Sequence, residues 1–208
     1  MNVIGELGLP VTDATQSYRL LRRVYVAQTA KEPQGRLERF QSTLARRLGP
    51  LATVVAVGGI HLTYLESKGM QPYFLACGYN SDNVQEFTDD LESHLEKTCP
   101  THDDKVTVNP KQPLTWKGFR LLALNVEPTD QLLAARYYIE SFLVHRFGEL
   151  PELADFEPHM VVGRYKGRMS RRIRDNPMEV LPSGMRVPGT VAMNGMSVYL
   201  DRINPDWP

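Results

Sequence analysis

Hydrophobic positions along this chain switch repeatedly between two periods. Residues 20–29 collect Val24, Tyr25 and Val26, a β-branched and aromatic run that predicts a first strand. Leu37, Phe40, Leu44 and Leu48 then recur every three to four residues, which predicts a helix ended by Gly49-Pro50. Arg36, Arg39, Arg46 and Arg47 fall between them, as expected of its solvated face. Residues 52–57 and 60–65 read as strands on either side of a Gly58-Gly59 turn, and 73–77 as another short strand. Ser81-Asp82-Asn83 suits a helix start, continued by Val84, Phe87, Leu91 and Leu95, and 100–104 is a polar connection. Strands are expected at 105–108 and 119–126, around a loop holding Pro113, Trp116 and Gly118. The clearest helix is 128–147, with Pro128 and Asp130 in its first turn, Leu132, Ala135, Ile139, Leu143 and Phe147 on one face, and Gly148 as the stop. After a loop at 151–157 comes a strand from Pro158, then loop-like sequence at 177–189, then a strand at 190–200 with a bulge expected at Gly195. The alternation predicts an α+β or α/β-like fold with helices outside a sheet. Residues 1–17 read as an N-terminal arm and 18–208 as one domain of two lobes.

Two of these strands carry a histidine near their start. In Gly59-Ile60-His61-Leu62-Thr63-Tyr64-Leu65, strand alternation puts His61, Thr63 and Leu65 on one face and Ile60, Leu62 and Tyr64 on the other. In Phe156-Glu157-Pro158-His159-Met160-Val161-Val162, His159 and Val161 share a face. A lone strand histidine is usually structural. Here each follows a helix that follows a strand, so the pattern is doubled, and two imidazoles facing one cleft suit paired acid–base chemistry. His94, His102 and His145 are scattered and have no such context.

Composition narrows the classes. Lys+Arg and Asp+Glu both number 24, so the formal net charge is zero, which argues against coating long nucleic acid by bulk charge. It leaves room for a local basic patch, and residues 164–174, which hold Arg164, Lys166, Arg168, Arg171, Arg172 and Arg174, form one directly after the second histidine. Such guanidinium forks match phosphate oxygens. Trp116 and Tyr165 are candidates to stack a base. Cys77 and Cys99 show no zinc-ligand spacing, so neither metal nor cofactor is expected. No stretch is long and apolar enough to suggest a membrane span, residues 1–10 lack a signal layout, and a cytoplasmic protein is expected. P-loop, Rossmann and nucleophile-elbow motifs are missing.

The pair His61-Leu62-Thr63-Tyr64-Leu65 and Pro158-His159-Met160-Val161-Val162 resembles the two His-x-Thr/Ser motifs of the 2H phosphoesterase superfamily, which includes RNA 2′,3′-cyclic phosphodiesterases and 2′-5′ RNA ligases. The resemblance covers about 24–200. It implies a duplicated, two-lobed fold with antiparallel sheets and outer helices around a central cleft. It implies a metal-free phosphodiesterase, with His61 and His159 catalytic and Thr63 on the phosphate. The substrate would be a small or terminal nucleotide phosphodiester: a 2′,3′-cyclic phosphate, a 2′-5′ linkage or a cyclic oligonucleotide. Val161 departs from the pattern, because it keeps a similar shape but donates no hydrogen bond. Arg164, Tyr165 or Arg168 is expected to supply the missing donor. Tyr165 lies nominally on the face of His159, and Arg164 does so only if Gly163 bulges the strand. The alternative is a binding module of the same fold that has lost its chemistry.

Overall fold

The computed structural model describes residues 22–202 apart from 33–34, 68–69, 81–82, 100–103, 119, 150, 152, 154, 167 and 182. The expected N-terminal arm, His102 and most of the 100–104 connection lie outside the described residues. The elements run β1 (Arg22–Ala30), α1 (Gly35–Leu48), β2 (Ala52–Val54), β3 (His61–Glu66), α2 (Gln71–Ala76), α3 (Val84–Thr98), β4 (Lys105–Thr107), β5 (Leu114–Lys117), β6 (Leu121–Asn125), α4 (Asp130–Phe147), β7 (His159–Tyr165), α5 (Arg171–Asp175) and β8 (Thr190–Arg202). The fold is α+β, and every strand pairing is antiparallel.

The strand order is β4-β8-β1-β3-β7-β6-β5, with β2 also on β7. Two half-sheets, β4-β8-β1-β3 and β2-β7-β6-β5, meet through one residue pair, Leu62 with Met160. Each half borrows a strand across the sequence. The late strand β8 pairs with β1, and the early strand β2 pairs with β7. Buried side chains from both halves form one hydrophobic cluster.

Local chemistry explains most boundaries. In α1, Leu37, Phe40, Leu44 and Leu48 are buried at helical spacing, and Gly49 at φ 51° ends the helix in a conformation that suits glycine. In α4 the Thr129 side chain caps by accepting from the Leu132 amide at 3.2 Å, and Gly148 at φ 79° closes the other end. The final strand shifts register as expected near Gly195: two steps on β1, Gln28 to Ala30, oppose three on β8, Met196 to Met193.

Three expectations fail, the first because the strand expected at 52–57 stops at Val54 and residues 57–59 form a single helical turn. Residues 73–77 fall mostly in helix α2, not a strand. Pro72 suits a first helical turn, and Met70 and Phe74, four apart, are both buried while Leu75 is exposed. Packing of Phe74 against Tyr79, Phe87 and Phe147 overrides the aromatic composition that suggested β. The expected loop around Trp116 is in fact β5, the outer strand of a hairpin with β6 that turns at Gly118 (φ 55°).

Candidate active site

The two histidine strands are built alike. In each, the residue after the histidine, Leu62 or Met160, is fully buried, so His61 and Thr63, and His159 and Val161, point to the opposite face. The Leu62–Met160 pair makes His61 and Val161 flanking positions on one side, and Thr63 and His159 on the other. Each motif's third residue thus lies beside the other motif's histidine. The two imidazoles are close enough for the charge of His61 to act on His159.

Both strands bulge directly after the motif. On β1 the adjacent residues Val26 and Ala27 oppose Leu65 and Thr63, leaving Tyr64 as the extra residue. On β6 the adjacent Leu122 and Ala123 oppose Gly163 and Val161, leaving Val162 extra. A bulge reverses the phase of everything beyond it. Leu65, expected beside Thr63, therefore turns into the core at 1% exposure. Arg164, paired with Leu121, joins the face of His159 and is exposed. Tyr165 turns the other way and is buried at 4%, its ring edge-on to Trp116. The expectation that Tyr165 faces the histidines is therefore corrected.

Trp116 is corrected for a related reason. As a strand residue paired with Leu122 it lies on the core face, and its indole Nε1–H donates to the Ile173 carbonyl at 2.9 Å. Its neighbour Lys117, paired with Leu121 and hence in register with Arg164, takes the face of the histidines. Arg168 is exposed in the segment after β7 and makes no hydrogen bond or ion pair among the described residues. The basic run beyond it is largely self-neutralised: Arg171 and Arg174 pair with Asp175, and Arg172 pairs with Glu179.

The imidazoles are held the same way. His61 Nδ1–H donates to the Gly59 carbonyl at 3.0 Å, and His159 Nδ1–H donates to the Glu157 carbonyl at 2.7 Å. A carbonyl only accepts, so Nδ1 carries the proton and Nε2 is the free nitrogen on each ring. Glu32 Oε1 accepts the Gly58 amide at 2.7 Å, fixing the turn before His61, while Lys117 pairs with Glu157 before His159. His61 is exposed and His159 half-buried. Burial, the largest cause, pushes His159 below the ordinary histidine value; the charges of Lys117 and His61 push the same way, and its bond to the Glu157 carbonyl opposes them. The hydrogen bond from Lys117 holds the Glu157 carboxyl below the usual carboxylate range.

Behind the pair, Arg136 of α4 joins both motifs. Its guanidinium donates to the Tyr64 carbonyl, lies over the Phe156 ring at 5.7 Å from the centroid, and bonds Glu140 at 2.7 Å. Tyr64 itself stacks on Phe156, and its hydroxyl donates to the buried Gln28 at 2.5 Å. Sequence reading missed Arg136, although a signal was present: a charged residue interrupting the apolar face between Leu132 and Ile139. Lys117 and Glu157 were missed because their role depends on pairing. Among the described residues no three His, Cys, Asp or Glu side chains gather as metal ligands, and no helix is long and apolar enough to cross a membrane.

No family model and no curated protein sequence matches the chain. Among solved structures, a conserved protein of unknown function from Agrobacterium tumefaciens is similar over 88% of this chain and 82% of that one, with TM-score 0.53 and 12% identity. The two share a fold. Escherichia coli LigT in complex with 3′-AMP is similar over 86% of each chain at TM-score 0.46 and 16% identity. The PDE domain of MHV ns2 is similar over 87% of this chain and 99% of that one at TM-score 0.39 and 14% identity. Those last two likenesses are too loose to carry a conclusion.

Proposed function

We propose that the protein is a metal-independent phosphodiesterase that opens a small or terminal nucleotide phosphodiester with His61 and His159 as its acid–base pair. The observation that carries this reading is the matched pair of imidazoles on adjacent strands, each pinned at Nδ1 with Nε2 free. The motif resemblance to 2H phosphoesterases supports it.

In this reading the two rings take different roles, supported by their unequal surroundings. His159, kept neutral by burial and by neighbouring positive charge, is the general base. Its Nε2 takes the proton from the attacking water or hydroxyl as the new P–O bond forms. His61, exposed to solvent, is the general acid, and its Nε2–H protonates the leaving oxygen as the old P–O bond breaks. Thr63, Arg164 and Lys117 lie on the face where a phosphoryl group would sit, Thr63 as a hydroxyl donor and the other two as cations. In this reading Arg164 and Lys117 replace the donor missing at Val161, because the transition state concentrates charge on the non-bridging oxygens. Tyr165 has no part in it.

The decisive experiment measures turnover in EDTA on a panel of 2′,3′-cyclic nucleotides, 2′-5′-linked oligoadenylates and cyclic oligonucleotides. Turnover abolished by His61→Ala and by His159→Ala supports the reading. Activity restored only by one added metal overturns it. One observation favours a second reading: Val161 lies between His61 and the apolar Ala123, so that row offers no hydroxyl. Tight nucleotide binding with no turnover on any member of the panel would favour a binding module.

A further inference from the structure

We infer that the protein carries a second phosphate site, lined by Arg36, Arg39 and Arg186 and separate from the histidine pair. All three, exposed, line an open cavity of about 490 Å³ between the first turns of α1 and the segment before β8. That volume is in the range of pockets that hold a nucleotide-sized ligand. None of the residues lining it is acidic.

Five other arginines pair with carboxylates: Arg136 with Glu140, Arg146 with Asp90, Arg171 and Arg174 with Asp175, and Arg172 with Glu179. Among the described residues Arg36, Arg39 and Arg186 pair with none. Arg39 Nε donates to the Gly35 carbonyl at 2.9 Å, which aims its fork and leaves both terminal nitrogens for a ligand. Three like charges from two separate segments repel one another unless an anion lies between them. In a chain of zero net charge, this concentration is local. Guanidinium forks select planar or tetrahedral oxyanions, with phosphate foremost. Thr43 adds a hydroxyl, and Phe40 and Val187 add apolar wall, so the cavity suits a phosphate attached to an organic body. The ligand class is a phosphorylated nucleotide, either free or as the 5′-phosphate end of an oligonucleotide.

The α1 helix adjoins the segment that fixes His61. Glu32, three residues before Gly35, holds the Gly58 amide.

The test uses 5′-AMP, a 5′-phosphorylated dinucleotide and the same dinucleotide with a 5′-hydroxyl. AMP and both dinucleotides can also occupy the histidine site, so binding is scored by the Val187 and Met185 methyl signals, which report on the cavity itself. Calorimetry on the wild-type chain, with methyl NMR to locate the site, is expected to show binding that moves the Val187 and Met185 methyl signals. The Arg36→Ala/Arg186→Ala double variant should bind at least about tenfold more weakly, and Arg186→Lys should retain part of the affinity. Equal binding of AMP and the phosphorylated dinucleotide identifies a free nucleotide as sufficient; binding by the phosphorylated dinucleotide alone identifies an oligonucleotide end. The inference is overturned if the two dinucleotides move the Val187 and Met185 signals equally, if those signals stay unmoved at saturation, or if the folded double variant shows the same shifts as wild type. Because the readout is the cavity's own methyl signals, failure here and failure of the histidine reading are separate results.

Discussion

The strands of His61 and His159 share a backbone plan and differ in what surrounds it. Each has a histidine tied to the carbonyl two residues back, a buried next residue, and a bulge three positions after the histidine. Beyond the bulge, the residue re-aimed to the face of the histidine is Glu66 on β3 and Arg164 on β7. The third motif residue is Thr63 on one and Val161 on the other. One imidazole is exposed and the other half-buried beside Lys117. Equivalent frames with unequal surroundings lower the proton affinity of His159, which suits the base of the proposed pair.

The sharpest break of this comparison removes either imidazole. His61→Ala and His159→Ala are each expected to cut kcat by roughly 10²–10⁴, and the double variant should fall little further, because the two act as one unit. Additive losses in single-turnover kinetics would refute the paired roles.

Next comes the frame. Arg136→Met removes the cation that ties Tyr64 to the loop before His159 and leaves the Tyr64 carbonyl short of a donor. It should cost about 1.5–3 kcal/mol in urea unfolding. Tyr165→Ala should likewise cost about 3 kcal/mol by opening a core cavity, with little effect on kcat in the fraction that stays folded. Loss of kcat without loss of stability in Tyr165→Phe would return the hydroxyl to the site.

Smaller again is the effect of donors on the Val161 side. Val161→Thr is expected to change kcat less than tenfold, whereas Arg164→Ala and Lys117→Met should each lower it by at least about tenfold. A large gain from Val161→Thr would show that the site runs one donor short.

The finest test concerns pH. In the proposed mechanism the neutral form of His159 is the active one, and its folded value lies below the ordinary histidine value. The acid limb of kcat/KM should therefore fall below about pH 6.5. Lys117→Met removes one of the charges that lowers His159, so this limb should move to higher pH, though burial remains and should keep it below the unperturbed value. No movement would mean that Lys117 does not act on the base.

Much of this was legible beforehand because it depends on local periods. Helices α1, α3 and α4 announced themselves by apolar spacing, and the two histidine strands by alternation. The errors came where phase depends on a partner. A two-residue period makes Tyr165 and His159 neighbours until one extra residue, Val162, reverses them, and only pairing with β6 reveals that residue. Gly163 gave the hint. A Cβ there would meet the Thr53 carbonyl at 3.3 Å, so the glycine admits β2 close to the bulged strand. Trp116 was misassigned for the opposite reason, because a strand lying between turn residues reads as loop. Lys117 and Glu157, forty residues apart, had no local sign of their pairing.

The exchange of β2 and β8 between the half-sheets governs how the chain can be cut. Severed in the connection between β4 and β5, neither fragment holds a complete half-sheet. The first lacks β8 and would expose the edge of β1, and the second lacks β2 and would expose part of the edge of β7. Each fragment holds the strand the other needs. The polypeptide is thus a natural pair for split reassembly, in which two inert pieces recover both histidines only by trading strands.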